Sequence, residues 1–313
     1  MRKKFGAILA WSGTIAILVY LFWTIPLADV WEKMHTAAWW SIPAMAVLVL
    51  AVYLADSYAI MKTFGWFVAP LSYREVLVVR GATYLLALVN YAVGQGAIIY
   101  FVNRTRKVPI LRGTAAVLLV MGINVLMLLV LATIGLVTSS DVSRGLRTVL
   151  LTAYGGLFVY ILLVALRPRW LANRPIFDVL LTAGLKGHLR SMLVRVPHIC
   201  TLLALSWVSM AAFGVMLPVT KAVLCLPIVY FVTVLPISVQ GLGTTQAMMI
   251  LFFATYAPGA TTGAREAAVL AASLLAQVVA NVMQILIGLG CMRSQLARGL
   301  GGQNGAGARK ETT

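Results

Sequence analysis

Charge is what this chain has least of. Only 11% of its 313 residues are charged, and only eight are acidic. A soluble domain carries about 25% charged residues and about 45–50% apolar ones. Here 61% are hydrophobic, which excludes an ordinary soluble domain. Catalytic reagents are equally scarce. Seven of the eight carboxylates (Asp29, Glu32, Glu75, Asp141, Asp178, Glu266, Glu311) fall in hydrophilic stretches. The three histidines (His35, His188, His198) and three cysteines (Cys200, Cys225, Cys291) are scattered. That pattern offers neither metal-ligand spacing nor a disulfide framework. There is no HExxH, no Ser/His/Asp set and no glycine-rich phosphate loop ending in lysine. The expectation is a protein that is not an enzyme, with no cofactor, no metal and no ATP-driven step.

What is present is apolar sequence in runs of membrane-spanning length, roughly 17–25 residues. Full spans are expected near Ala7–Ile25, Trp40–Met61, Gly113–Val137, Leu146–Leu166, Pro197–Pro218 and Ala267–Cys291. The N-terminal run exceeds the ~7–15 residues of a signal-peptide core, so it is expected to stay as a first helix. The net charge of +17 is spread between apolar runs and not gathered on one face. It therefore points to basic loops that attract anionic lipid, not to nucleic acid.

Two apolar regions are interrupted. Val76–Val102 contains NYAVGQG (Asn90–Gly96), and Ala222–Tyr256 contains LPISVQGLGTTQ (Leu235–Gln246). If each enters and leaves on one face, nineteen basic residues lie on the cytoplasmic side and five outside, as the positive-inside rule requires. A tilted helix pair crossing twice is the alternative at about 27–35 residues. Both termini are then cytoplasmic. Each half, about 1–140 and 141–292, reads span, span, interrupted region, span. Three net crossings give the halves opposite orientations, an inverted-topology repeat as in secondary transporters. Echoes in sequence agree: YLLALVN from Tyr84 with YFVTVLP from Tyr230, and NVLMLLV from Asn124 with NVMQILI from Asn281. The fold class expected is an all-α polytopic membrane protein with six full spans and two re-entrant or broken-helix regions. Leu171–Val196 reads equally as an amphipathic surface helix or a basic loop. Residues 293–313 read as a disordered cytoplasmic tail.

Candidate site residues are polar groups placed where lipid would be expected. Asp56 and Arg80 fall in or near spans, where an ionisable group usually has a partner or a wet cavity. Arg80 could instead snorkel to head groups, and Asp56 could lie near the inner interface; their pairing is a hypothesis. In the breaks, Gly94, Gly96, Gly241 and Gly243 would let the chain turn. Asn90, Gln95, Gln240 and Gln246 offer amides, and Ser238, Thr244 and Thr245 offer hydroxyls, behind Pro236. Unwound backbone in a bilayer must face protein or water, so these groups either line a cavity or cap the broken helices. Gln277, Asn281 and Gln284 recur at helical spacing as a polar stripe, either for packing or as a cavity wall.

At LPISVQGLGTTQ the chain resembles the flippase-like membrane family typified by the lysylphosphatidylglycerol synthase transmembrane domain. The resemblance covers about Ala7 to Met292. The family pattern is Pro-x-Ser-x-Gly-Gly-x-Gly-x-Arg-Glu. Pro236, Ser238, Gly241 and Gly243 match it, while Gln240, Thr245 and Gln246 replace a glycine, the arginine and the glutamate. In the other family signature Asn90 and Gly96 correspond, and the proline and charged positions are absent. The resemblance implies a lipid-handling protein of a prokaryotic cytoplasmic membrane. Bifunctional relatives couple this domain to a soluble synthase domain that does not occur in this chain. The expected partners are membrane lipids with anionic head groups, and a lipid-synthesis enzyme as a second partner. A transporter of a small hydrophilic solute and a non-transporting accessory protein are the alternative expectations.

Overall fold

The computed structural model of the chain describes residues 15, 19–21, 23, 27–89, 91–138, 144–234 and 241–307. Among the described residues the chain is 88% helical and has no strand. In order the helices are α1 (Leu27–His35), α2 (Ser41–Phe67), α3 (Tyr73–Val89), α4 (Tyr91–Arg106), α5 (Ile110–Thr138) and α6 (Arg144–Leu166). There follow α7 (Arg169–Ala172), α8 (Pro175–Ala211), α9 (Val219–Val234), α10 (Thr244–Phe253) and α11 (Thr262–Gly307). Five are long and apolar enough to cross a membrane, over Ser41–Phe67, Ile110–Ile134, Arg147–Leu166, Pro175–Ala211 and Thr262–Arg293. The expected span at Ala7–Ile25 lies almost wholly outside the described residues.

The helices run longer than their apolar cores because backbone hydrogen bonding continues through polar turns wherever no breaker intervenes. The span expected at Pro197–Pro218 belongs to a stretch that carries two breakers, Gly184 and Pro197. Its helix begins at Pro175 and ends at Ala211. Gly184 interrupts it at φ 57, ψ −179, a conformation essentially confined to glycine. α11 carries on as far as Gly307, into the stretch expected to be disordered; residues 308–313 lie outside the described residues.

The chain clusters into two compact units that interleave in sequence. The first comprises residues up to Val52, Met121–Leu166 and Val196–Ala280. Its core gathers Met210, Phe213, Leu226, Val229, Met249 and Phe253 around the fully buried run Ala267–Ala272. Alanines at 267, 268, 271 and 272 let neighbouring helices approach closely, as small residues do in membrane bundles. The outer surface is apolar too: Leu151, Phe158 and Leu162 on α6 are exposed, as lipid-facing side chains would be. Trp31, Trp39 and Trp40 are exposed around the junction of α1 and α2, the residue type that marks a membrane–water interface.

The second unit comprises Tyr53–Val120, Arg167–Arg195 and residues from Asn281 onward. Within it α3 and α4 form an antiparallel hairpin, since Arg106 at the end of α4 bonds to Glu75 at the start of α3 at 2.8 Å. Ser72 and Glu75 close a capping box on α3. The Ser72 N–H donates to Glu75 Oε2 at 2.8 Å and the Glu75 N–H to Ser72 Oγ at 3.3 Å, satisfying orphan donors of the first turn. Hydrogen bonding from Ser72, helped by the Arg106 charge, holds the Glu75 carboxyl below its usual range.

Gly94, Gln95 and Gly96 were expected in a turn and are helical instead. The two helices end at Val89 and begin at Tyr91, and Asn90 lies outside the described residues. Gly94 serves packing: a Cβ there would sit 2.9 Å from Ala87 Cβ and 3.1 Å from the Thr83 carbonyl. The absent side chain lets the two arms of the hairpin meet.

Candidate functional site

Asp56 is buried, at 1% exposure, on α2. A lone carboxylate there would be strongly disfavoured. The second unit surrounds it with two guanidinium groups. Arg80 on α3 donates through Nε to Asp56 Oδ2 at 2.7 Å, and Arg195 on α8 donates through Nη2 to Asp56 Oδ1 at 2.7 Å. Each carboxylate oxygen thus accepts a charge-assisted bond, the strongest protein hydrogen-bond class. The Arg80 guanidinium also lies 5.3 Å from the centre of the Tyr84 ring, one turn along the same helix, within cation–π range. Side-chain exposures of 14% for Arg80 and 8% for Arg195 make this a desolvated triad with two positive charges and one negative.

The fold holds these arms in place by close helix contacts. Gly187 on α8 approaches Phe67 on α2 so nearly that a Cβ would meet its ring at 2.7 Å. The Arg190 guanidinium lies 3.7 Å from the Trp66 ring centre. The two other described carboxylates of the unit are engaged elsewhere, Glu75 with Arg106 and Asp178 with Arg112.

Arg195 lies in Leu171–Val196, the stretch whose sequence reads equally as an amphipathic surface helix or a basic loop. The structure inverts the polar face of such a helix. His188, Ser191 and Arg195 are buried, whereas Leu185, Leu189, Leu193 and Val196 are exposed. The spacing 188, 191, 195 follows one helix face. In water the leucines would turn inward; in lipid the polar face turns inward and the leucines outward. The same periodicity fits both arrangements, and only an assumption about the solvent separates them.

The glycine-rich motif belongs to the first unit. Pro236, Ser238 and Gln240 lie outside the described residues. Gly241 and Gly243 adopt φ 74 and 85, where a Cβ would be strained. Thr244 and Thr245 both donate their hydroxyls to the Gly241 carbonyl, at 3.0 and 2.9 Å. Gln246 is fully buried, and its Oε1 accepts the Gly243 N–H at 2.7 Å. This is the glutamine half of a capping box; the residue at the cap is glycine and has no side chain to return the bond. The Gln246 Nε2 is buried without a hydrogen-bond partner.

The structure therefore brings Asp56 and Arg80 together with Arg195. It separately gathers Gly241, Gly243, Thr245 and Gln246 into one turn that starts α10. Gln95 is half-buried and Gly96 exposed on α4, with nothing near the position of a Gly96 Cβ. Gln277 and Asn281 lie half-buried along α11. Among the described residues no group of three or more His, Cys, Asp or Glu side chains could hold a metal ion. Comparison with protein-family models, with curated proteins and with solved structures finds no match.

Proposed function

We propose that the protein is a flippase-like lipid transporter, moving a phospholipid or lipid-linked molecule with an anionic head group across the cytoplasmic membrane of a prokaryote. The observation that carries this is the buried Arg80–Asp56–Arg195 triad, in which Asp56 and Arg195 stand on apolar, membrane-length helices and Arg80 on the shorter α3. Charges in such a setting are costly and mark substrate or ion pathways by default. A net positive cluster suits an anionic cargo. The helix order supports a transporter architecture. A long helix, a short pair and a long helix occur twice, as α2, α3–α4, α5 and as α8, α9–α10, α11.

In this proposal the short pairs are re-entrant and the two series form an inverted repeat. The arms of α3 and α4, 17 and 16 residues, are about 25 Å long at 1.5 Å per residue. That is less than the ~30 Å hydrocarbon core, which favours entry and return on one face. Basic residues set both termini in the cytoplasm. The resemblance of LPISVQGLGTTQ to the lysylphosphatidylglycerol synthase transmembrane domain supports the lipid class of cargo.

The test is reconstitution into vesicles carrying trace fluorescent phosphatidylglycerol or phosphatidylcholine in one leaflet, with dithionite quenching as the readout. The expected result is faster exchange of the anionic lipid than in protein-free vesicles. Unchanged distribution of every labelled lipid would overturn the proposal.

A further inference from the structure

We infer that Tyr84, braced by Tyr53, is the positioning residue of the buried triad: its ring face holds the Arg80 guanidinium at Asp56 and keeps it from reaching toward the membrane surface. The placement stands on geometry; its consequence for transport rests on the proposal above. An arginine side chain is long and rich in rotamers, and near a membrane it extends toward the head groups wherever nothing restrains it. Arg80 is restrained: its side chain is 14% exposed and its Nε donates to Asp56 Oδ2. Neighbours on α2, α3 and α11 supply the restraint.

Tyr53 fixes the backbone beside Arg80. It is buried on α2, and its hydroxyl donates to the Leu77 carbonyl on α3, three residues before Arg80. The same hydroxyl lies 3.6 Å from Cys291 Sγ on α11. A Cβ on Gly81, the residue after Arg80, would sit 3.1 Å from it. Tyr53 thus reaches α3 on both sides of Arg80 in sequence. Tyr73 returns the bond, donating its hydroxyl from α3 to the Leu54 carbonyl on α2 at 3.0 Å. These reciprocal bonds set the rotation of α3 against α2, and with it the direction in which Arg80 leaves its helix.

Tyr84 fixes the guanidinium itself. It stands four residues after Arg80, on the same face of α3, with its ring centre 5.3 Å from the guanidinium carbon. Tyr53 backs that ring, the two centroids lying 5.6 Å apart with the planes inclined at 57°, within the range that aromatic pairs favour. A cation–π contact shielded from water is stronger than an exposed one, so the ring counts most for an arginine buried as this one is. The attraction comes from the ring face and not from the hydroxyl, and phenylalanine presents the same face.

Modification by phenylglyoxal, read by peptide mass spectrometry on the detergent-solubilised full chain, reports where Arg80 is. In the parent Arg80 should react slowly, and the exposed Arg104 quickly in every variant. Tyr84→Leu, which keeps an apolar side chain and removes the ring, should speed modification of Arg80 by about tenfold, the order of a desolvated cation–π contact. Tyr84→Phe should return it to the parent rate. Tyr53→Phe removes only the bond to Leu77 and should speed it by a smaller factor; it keeps the test decisive if Tyr84→Leu fails to fold. Arg80 as protected in folded Tyr84→Leu as in the parent, released equally by Tyr84→Phe, or unmoved by Tyr53→Phe would overturn the inference. Exchange of labelled phosphatidylglycerol in vesicles should fall with Tyr84→Leu and recover with Tyr84→Phe. Arg80 released with exchange unchanged would sink the transport role of the triad and leave the positioning standing. Exchange lost while Arg80 stays protected would do the reverse.

Discussion

Replacing the whole triad with apolar side chains should leave the protein folded and at least as stable, whereas removing Asp56 alone should not. Both ion pairs are 2.7 Å long and the carboxylate side chain is 2% exposed. At an effective dielectric near 20, a unit pair about 4 Å apart gains roughly 4 kcal/mol before desolvation is counted. Desolvation offsets most of that, so the net worth of the intact cluster is small. Asp56→Ala leaves two buried guanidiniums facing each other and should cost about 3–5 kcal/mol. The triple variant Asp56→Leu, Arg80→Met, Arg195→Met restores volume without charge. It should range from neutral to about 1–4 kcal/mol more stable than the parent. Reversible unfolding in mixed micelles, titrated with sodium dodecyl sulfate, measures both. A triple variant destabilised as much as Asp56→Ala would refute the reasoning, because the triad would then be structural.

Other parts of the structure give sharper local tests. Gly94→Val should destabilise the α3–α4 hairpin by about 1–3 kcal/mol through overpacking, since Ala87 and Thr83 already crowd that position. Gly96→Ala, with open space around it, should be neutral or stabilising by about 0.5–1 kcal/mol; thermal melts in detergent compare the two. Gln246→Leu strands the buried Gly243 N–H and should cost about 1–3 kcal/mol, seen as a lower melting temperature and faster amide exchange at Gly243. Glu75 has its carboxyl depressed by Ser72 and Arg106, so its contribution is full above the ordinary glutamate pKa of about 4.3. It is lost as pH falls through the depressed folded value. The melting-temperature gap between the parent and Glu75→Gln should therefore hold from pH 7 to about 5 and close below that.

Hydropathy made most of the helices legible, because a bilayer demands long uninterrupted apolar runs and little else does. The ends were not legible. α8 begins at Pro175 and α11 reaches Gly307, since helical hydrogen bonding extends through polar sequence that hydropathy assigns to loops. Asp56 and Arg80 stood out as ionisable residues in apolar surroundings, and the structure brings them to one ion pair. Arg195 did not stand out, for it sits among Lys186, Arg190 and other basic residues that share its composition and not its burial. The signal that could have found it was the face shared with His188 and Ser191, opposite Leu185, Leu189 and Leu193. The glycines divide in the same way. Gly241 and Gly243 have the positive φ that a turn needs, while Gly94 is helical and serves close packing. Spacing alone does not separate those two uses.

The central claim, that the buried triad handles an anionic lipid, is tested most directly by transbilayer exchange of labelled phosphatidylglycerol in vesicles containing the parent protein or the apolar triple variant, matched for folded protein. The account predicts rapid exchange with the parent and exchange at the protein-free rate with the triple variant. Equal exchange by a stable triple variant would contradict it.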